Sequence, residues 1–158
     1  MIRIQLVALI FVANGVVSQV AQACTCVSMT QAQKFARADV VAIGVVEQVT
    51  VLDSKTGSTE TLLRTDQTWK NSPADHITVS TDGTCAVSFV VGRKFLLYLK
   101  RIAGGGYAAD RCGGTAKVED AKRALHWLNS RKERSSERKT IDQLHRMTSS
   151  GSDLGRKT

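Results

Sequence analysis

The chain has 158 residues, of which 22 are Lys or Arg and 14 are Asp or Glu, so its formal net charge at pH 7 is +8. Aromatic residues make up 5% of the chain. Because few aromatic side chains are present for base stacking, we expect no nucleic-acid binding in spite of the positive charge. The charge indicates solubility and weak attraction to acidic surfaces, and it carries no information about the fold.

The first 23 residues have the features of a signal peptide. Arg3 is their only charge, residues 6–13 form a short apolar run, and Ala21 and Ala23 occupy the −3 and −1 positions of a cleavage site. The run is well short of the roughly 20 apolar residues that a membrane span needs, so we expect neither an anchor helix nor stable membrane insertion. We predict cleavage between Ala23 and Cys24, with either secretion or a periplasmic location.

A lipoprotein signal is the alternative interpretation of the same segment. A lipobox has a large aliphatic residue at −3 and a small residue at −2, and this chain has Ala21 and Gln22 there. Ordinary cleavage is therefore favoured. The distinction matters because lipidation would block the α-amine of Cys24.

The residues after the cleavage site predict one mainly β domain at 24–130. Residues 29–37 contain no Gly or Pro and predict a short helix. Runs of β-branched and apolar residues between turn signals predict strands. The predicted strands are 39–52, 59–69, 77–80, 95–99 and 107–110. A second helix is predicted at 118–128, where apolar residues fall on one helical face. Five antiparallel strands with flanking short helices are typical of a five-stranded barrel of the OB type.

Residues 131–158 form a basic tail, with eight Lys or Arg against four Asp or Glu. Its polar runs cannot bury much apolar surface, and only residues 141–147 show a weak helical pattern. We predict that this tail is disordered or a fraying helix.

The chain has four cysteines, Cys24, Cys26, Cys85 and Cys112. An even number in an exported chain predicts disulfides, with three possible connectivities. A bond between Cys24 and Cys26 would close a strained, very short loop, so each early cysteine should reach a late one, and two pairings stay open. A zinc site is the competing interpretation, but the chain lacks a second closely spaced pair.

The sequence shows no arrangement of residues that is typical of an enzyme. His76, His126 and His145 have no spacing that pairs them, and neither a nucleophile elbow nor an HExxH motif occurs. With all cysteines in disulfides, no thiolate is left for chemistry. Other polar or aromatic candidates are interpreted as solvated or packing side chains: Glu47, Glu60, Glu119, Asp120, Trp69 and Trp127. We therefore expect no enzymatic activity and no cofactor.

The run CTCVSMTQAQKFARADVV resembles the start of the tissue inhibitors of metalloproteinases, in the netrin-like module superfamily. The Cys-Thr-Cys-Val start, Phe35, and Asp39 followed by apolar residues occur in the family's order and spacing. Cys85 ahead of a strand, and Cys112 after FLLYLKRIAGGGYAADR, match two later family cysteines. The resemblance covers residues 24–128, the family's N-terminal inhibitory domain, and the simple leader favours a bacterial member.

The resemblance implies the disulfides Cys24–Cys85 and Cys26–Cys112 on an OB barrel. It also implies that the α-amine and carbonyl oxygen of Cys24 chelate the catalytic zinc of a metalloproteinase, whereas the free inhibitor is a monomer that binds no metal. Thr25 would enter the enzyme's primary specificity pocket. The other contacts implied with the enzyme are those of Cys26, Val27, Thr84 and Cys85.

Two features depart from the family pattern. Ser28 and Met29 stand where the family commonly has prolines, so we expect a less stiff N-terminal arm. Ala36 replaces the first cysteine of a third family disulfide, and no cysteine follows Cys112, so both partners of that bridge are absent together.

Two functions from different classes follow. The first is a secreted metalloproteinase inhibitor that acts through Cys24. The alternative is a non-inhibitory exported binding module, which uses the barrel face or the basic tail on an envelope or matrix partner. A third hypothesis, a redox or metal-carrying Cys-x-Cys protein, predicts free thiols after export.

Overall fold

Five strands close into a barrel in the computed structural model, which describes residues 24–151. The strands are β1 Val40–Asp53, β2 Ser58–Lys70, β3 His76–Thr81, β4 Lys94–Arg101 and β5 Tyr107–Ala108. Their order is β1-β2-β3-β5-β4, and β4 pairs with β1 to close the ring. Only β3 and β5 pair in parallel; the other neighbours are antiparallel. The five-stranded OB-like barrel that the sequence predicts is confirmed, but the prediction that all five strands are antiparallel is wrong for β3 and β5. The predicted signal peptide, residues 1–23, lies outside the described residues.

Short elements and two helices surround the barrel. They are α1 Gln31–Arg37, a two-residue strand β6 Ala116–Lys117 on the edge of β4, a 3₁₀ turn Val118–Asp120, and α2 Lys122–Gly151. The helix α1 begins at a capping box: the Thr30 hydroxyl accepts from the backbone N–H of Gln33, and the Gln33 side chain accepts from the backbone N–H of Thr30. This box explains why the helix starts two residues after the predicted Met29.

The strand β1 bends sharply, because it must pair with both β2 and β4. Its register with β2 shifts at several points, including between Ile43 and Gly44. A Cβ atom on Gly44 would lie 2.9 Å from Leu97 Cδ1 and 3.2 Å from Leu63 Cδ2. Only glycine therefore allows the three strands to approach this closely without a shift of the leucines.

The strand β4 separates two hydrophobic cores. Phe95, Leu97 and Leu99 point into the barrel, and Leu96 and Tyr98 point outwards beneath the two helices. A strand that is buried on both faces has no polar alternation, which is why residues 95–99 are continuously apolar in the sequence.

The helix α2 is longer than the sequence predicts. Its first turns pack on the barrel through Ala124 and Leu128, and it continues as a helix through Gly151. Of the two states predicted for the tail, disorder or a fraying helix, the helix is the one observed as far as Gly151. Helix nucleation is unfavourable, and packing of the first turns on the barrel offsets that free energy. The Lys, Arg and Glu residues that follow are good helix formers, so the helix continues through them. No helix among the described residues combines the length and the apolar character that a bilayer span requires.

Asp39 joins α1 to β1 and is expected to make stability depend on pH. Its carboxylate accepts a hydrogen bond from the backbone N–H of Arg101 at 2.9 Å, and Lys100 lies nearby. That backbone hydrogen bond, followed by the neighbouring positive charges, lowers the pKa of Asp39 below its ordinary value of 3.8. Ionised Asp39 therefore stabilises the fold above about pH 4, and this contribution is lost as the pH falls through the lowered pKa.

We expect Asp39→Asn to reduce the free energy of unfolding at pH 6. The difference from the unchanged protein should shrink below pH 4 and vanish in stronger acid. Urea unfolding at several pH values measures it, with Glu60→Gln on the exposed side of β2 as the matched control. A difference that stays constant between pH 6 and pH 2 would show that the charge of Asp39 plays no part.

Candidate functional site

The N-terminal arm, residues 24–30, is tied to the barrel by both disulfides. Cys24 is bonded to Cys85 and Cys26 to Cys112, with Cα–Cα distances of 5.0 and 5.1 Å. This is the pairing that the resemblance implies, and it selects one of the two pairings that spacing left open. Disulfides are typical of oxidising compartments, so an extracellular or periplasmic location fits the chain.

The two disulfides pack against each other. The Cys24 sulfur lies 3.7 Å from that of Cys26 and 3.6 Å from that of Cys112, and the sulfurs of Cys85 and Cys112 are also 3.6 Å apart. Disulfide sulfurs carry no hydrogen, so these are van der Waals contacts. Two bonds in contact hold the arm at residues 24 and 26, which fixes the backbone of Thr25 between them.

Cys85 is held in a tight loop after β3. Gly83 takes a φ of +71°, a conformation that favours glycine, and its N–H donates to the Asp82 carboxylate at 2.7 Å. Ala86 N–H then donates to the Gly83 carbonyl at 3.1 Å. The Asp82-Gly83 turn therefore sets the position of Thr84 and Cys85 beside the arm.

Cys112 is held by a second loop that is bonded to the first. Arg111 N–H donates to the Cys85 carbonyl at 3.1 Å, and its guanidinium donates to the Ser88 hydroxyl at 3.3 Å. Within the loop, Gly113 N–H donates to the Asp110 carboxylate. Both anchor points of the arm thus belong to one hydrogen-bonded unit, so the arm cannot shift relative to the Cys85 loop without breaking these bonds.

The residues predicted to contact a target lie together along one exposed edge. Thr25, Cys26 and Thr84 are exposed, and Val27 is 83% exposed. Cys24 and Cys85 are half-buried at the disulfides. The edge therefore combines a disulfide-anchored backbone with the exposed apolar side chain of Val27.

A cleft of about 350 Å³ runs beside the arm, between Met29, α1 and Tyr98 on β4. Burial raises the pKa of Tyr98 to about 12, so its hydroxyl stays protonated at physiological pH. This hydroxyl lies 3.4 Å from the Gln31 side-chain oxygen. The cleft therefore presents a neutral hydroxyl, the cations of Lys34, Arg37 and Lys100, and the carboxylate of Asp110.

The four cysteine sulfurs lie within 4.8 Å of one another, a spacing that would suit a metal ion if all four were thiolates. All four are in disulfides in this structure. The metal-carrying hypothesis requires free thiols, because thiolates are the zinc ligands. In the oxidised chain, the four sulfurs are therefore not available as thiolate ligands.

The histidines do not assemble a catalytic group with one another. His76 begins β3, and its ring is 3.4 Å from the carboxylate of Glu47, which also pairs with Arg64 at 3.4 Å. These side chains are substantially exposed. His126 and His145 are exposed on α2.

Two cations that contact α1, Lys70 on β2 and Arg131 on α2, were missed by the sequence analysis. The Lys70 ammonium donates to the carbonyls of Phe35, Ala36 and Ala38 at 2.6–3.1 Å, which satisfies the end of α1. The Arg131 guanidinium stacks over the Phe35 ring at 4.8 Å. Both contacts join residues that are far apart in the sequence, so no local sequence pattern predicts them.

Comparison with protein-family models gives no match for this chain, and comparison with curated proteins gives none either. A function is therefore inferred from the residues and geometry of the chain itself.

Proposed function

We propose that the chain is a secreted or periplasmic inhibitor of zinc metalloproteinases, similar to the tissue inhibitors of metalloproteinases. Signal-peptide cleavage before Cys24 gives the inhibitor its active N-terminus. The observation that carries the proposal is the exposed edge of residues 24–27 and Thr84, fixed by two disulfides in contact.

The chemistry of Cys24 suits a catalytic zinc ion. Catalytic zinc sites in enzymes keep one coordination position open for water or substrate. A free α-amine has a pKa near 8, so it gives up its proton to a metal at little cost near neutral pH. Amine nitrogen and carbonyl oxygen of one residue close a five-membered chelate ring with the ion, which displaces the water that the protease needs for hydrolysis.

The neighbouring side chains supply affinity and selectivity. Thr25 follows the chelating residue directly, so its side chain enters the specificity pocket beside the zinc. Val27 and Thr84 flank it on the exposed edge, where Val27 has apolar surface to bury. Substitutions at Thr25 should therefore change which proteases are inhibited more than they change the fold.

Rigidity of the arm is a further source of affinity. A flexible arm would lose conformational entropy on binding, at about 0.5–1.5 kcal/mol for each immobilised side chain that has many rotamers. Here the disulfides and the linked loops order residues 24–26 in the free inhibitor. The absence of the family's prolines at Ser28 and Met29 is compensated in part by the bond from the Arg37 guanidinium to the Met29 sulfur at 3.3 Å.

Inhibition assays on a panel of zinc metalloproteinases test this function. The full chain is expressed in a host that exports it, and the intact mass of the exported product is measured with and without reduction. The masses should show an unmodified N-terminal Cys24 and two disulfides. We expect concentration-dependent inhibition of at least one zinc enzyme and none of serine proteases. Lack of inhibition across several structural classes of zinc endopeptidase would overturn the proposal.

The alternative function, an exported binding module without inhibitory activity, is favoured by one observation. The helix α2 is rich in Lys and Arg, and much of it extends past the barrel. A partner that binds there would be independent of Cys24. Truncation after Asn129, and not N-terminal extension, would then remove the activity.

A further inference from the structure

The helix α2 changes character where it leaves the barrel. The stripe that faces the barrel is apolar at Ala124 and Leu128. The same stripe carries Arg131 and Lys132 about one turn later and Lys139 about three turns later. Residues 131–143, the overhang, have exposed side chains throughout. The basic residues are therefore presented on the side of the helix that turns towards the barrel, above its rim.

This stripe forms one wall of a notch of about 410 Å³. Its other walls come from α1 and the end of β2. The principal residues of this basic notch are Phe35, Trp69, Leu128, Arg131, Lys132 and Lys139. No carboxylate of the described residues lines it, so the notch combines an apolar floor with cations that converge from one side.

A second hollow continues the positive surface along the helix. Arg131, Arg134 and Arg138 line it together with Ser135. The acidic residues Glu133 and Glu137 lie on a different face, beside Thr140 and Ile141. Over residues 131–139 the charges are thus segregated, and five cations form a basic strip of about 12 Å along the helix axis. The third carboxylate of the overhang, Asp142, lies beyond the strip, where it lines a further hollow with Lys139.

The basic strip lacks internal neutralisation. None of the ion pairs found within residues 24–151 involves Arg131, Lys132, Arg134, Arg138 or Lys139. Like charges three or four residues apart on a helix destabilise it, and Arg134 and Arg138 are such a pair. A polyanion that lies along the strip would relieve this repulsion.

Arg131 lies at the inner end of the strip, where contacts with aromatic rings fix the orientation of its guanidinium. Its guanidinium lies 4.8 Å from the Phe35 ring centroid and 5.6 Å from that of Trp127. The Phe35 ring is also covered by the Lys70 ammonium at 5.3 Å. Stacking fixes the planar guanidinium, whose N–H groups are suited to a sulfate or phosphate oxygen pair.

We propose that the basic notch and strip bind an acidic polysaccharide that carries sulfate or phosphate groups. This site goes beyond the inhibitory function and does not depend on it. A membrane surface fits less well, because an interfacial helix needs an apolar face, and the one large apolar residue at 131–143 is Ile141, on the acidic side. Nucleic acid fits less well because cations already cover the Phe35 and Trp127 rings that would stack bases.

Titration of the mature protein with dextran sulfate tests the proposal. The chain has two tryptophans: Trp69 lines the notch, and Trp127 lies against Phe35 and Arg131, so the fluorescence of both should respond to binding there. We expect saturable binding that weakens steeply with salt, and no response to uncharged dextran. Stronger binding to phosphatidylglycerol vesicles or to duplex DNA than to dextran sulfate would overturn the choice of a polysaccharide.

A charge-matched pair of variants separates the site from the net charge. Lys132→Gln/Arg138→Gln/Lys139→Gln removes three strip cations and leaves the Arg131 stack intact. It should weaken binding at least tenfold and lower the slope of log affinity against log salt by about three, one for each cation. Lys55→Gln/Arg93→Gln/Lys117→Gln removes the same charge from exposed positions outside the notch and strip, and should change affinity less than twofold. Equal losses in both variants would overturn the site.

Discussion

A single alanine added ahead of Cys24 is expected to weaken inhibition of a target metalloproteinase by at least about 100-fold, which corresponds to roughly 3 kcal/mol of binding free energy. The extension converts the α-amine into an amide nitrogen, which is no zinc ligand at neutral pH, and the new amine is displaced from the rigid edge. The disulfides and the barrel are untouched, so the free energy of unfolding should stay within about 0.5 kcal/mol. Inhibition constants for the two forms measure the effect.

One alanine added after Thr158 is the matched control, because it changes the length of the chain equally without touching the arm. That form should inhibit as well as the unextended protein. An N-terminally extended form that inhibits at full strength would rule out chelation by Cys24, and would point to a mode of inhibition through the side chains of the exposed edge.

The second large effect is expected when the Cys26–Cys112 disulfide is removed by Cys26→Ser/Cys112→Ser. These residues are 86 positions apart. In the chain-entropy model, a bridge across a loop of that length stabilises a fold by about 4–5 kcal/mol, and by less where a second loop overlaps it. We therefore expect the free energy of unfolding to fall by about 4 kcal/mol in urea titrations. Inhibition should weaken as well, because only Cys24 still holds the arm.

The control is Ser28→Ala, an exposed position of the arm outside both disulfides, with an expected change within about 0.5 kcal/mol. A double variant that fails to fold agrees with a loss of this size, since small exported domains often need their bridges. A change below about 1 kcal/mol would show that the bridge adds little to the barrel. Full inhibition by a stable double variant would contradict the role of the arm's rigidity.

Much of the barrel could be predicted from local patterns. The β-branched run of β1 and the apolar run of β4 are visible because strands of these lengths have few other ways to bury their side chains. The predicted and observed boundaries of β1 and β4 differ by one or two residues. The difference arises because pairing with neighbouring strands, and not the apolar run, decides where each strand ends. The short β5 pairs with both β3 and β4, which only the closed ring determines.

Composition alone could not decide whether the basic tail is helical or disordered. Low hydrophobicity predicts that residues 131–143 bury nothing, and they are indeed exposed. Composition does not report that the preceding turns of α2 are anchored by Leu128 and by Trp69, whose indole N–H donates to the Asn129 side chain at 3.1 Å. An anchored helix propagates through good helix formers without burial, which is why exposure and helical structure coexist here.

The exposed edge at residues 24–27 was predicted through the cysteines, and the basic notch was not predicted at all. The Cys24–Thr25–Cys26 arm is contiguous in the chain, so its residue types and their spacing can be recognised directly in the sequence. The notch joins Phe35, Trp69 and Arg131, which are far apart in the chain and come together only when α2 crosses the end of β2. Contacts of this kind depend on tertiary packing and leave no local signal.

The most direct measurement of zinc chelation is the visible absorption spectrum of a cobalt-substituted metalloproteinase, chosen from the enzymes that the chain inhibits. Cobalt in the zinc site reports a change of its ligands as a change in d–d absorption. Titration with the mature protein should shift the spectrum and saturate at one inhibitor per enzyme, whereas the protein with one extra alanine before Cys24 should leave it unchanged. An enzyme that is fully inhibited while its cobalt spectrum stays the same would contradict ligation of the metal by Cys24.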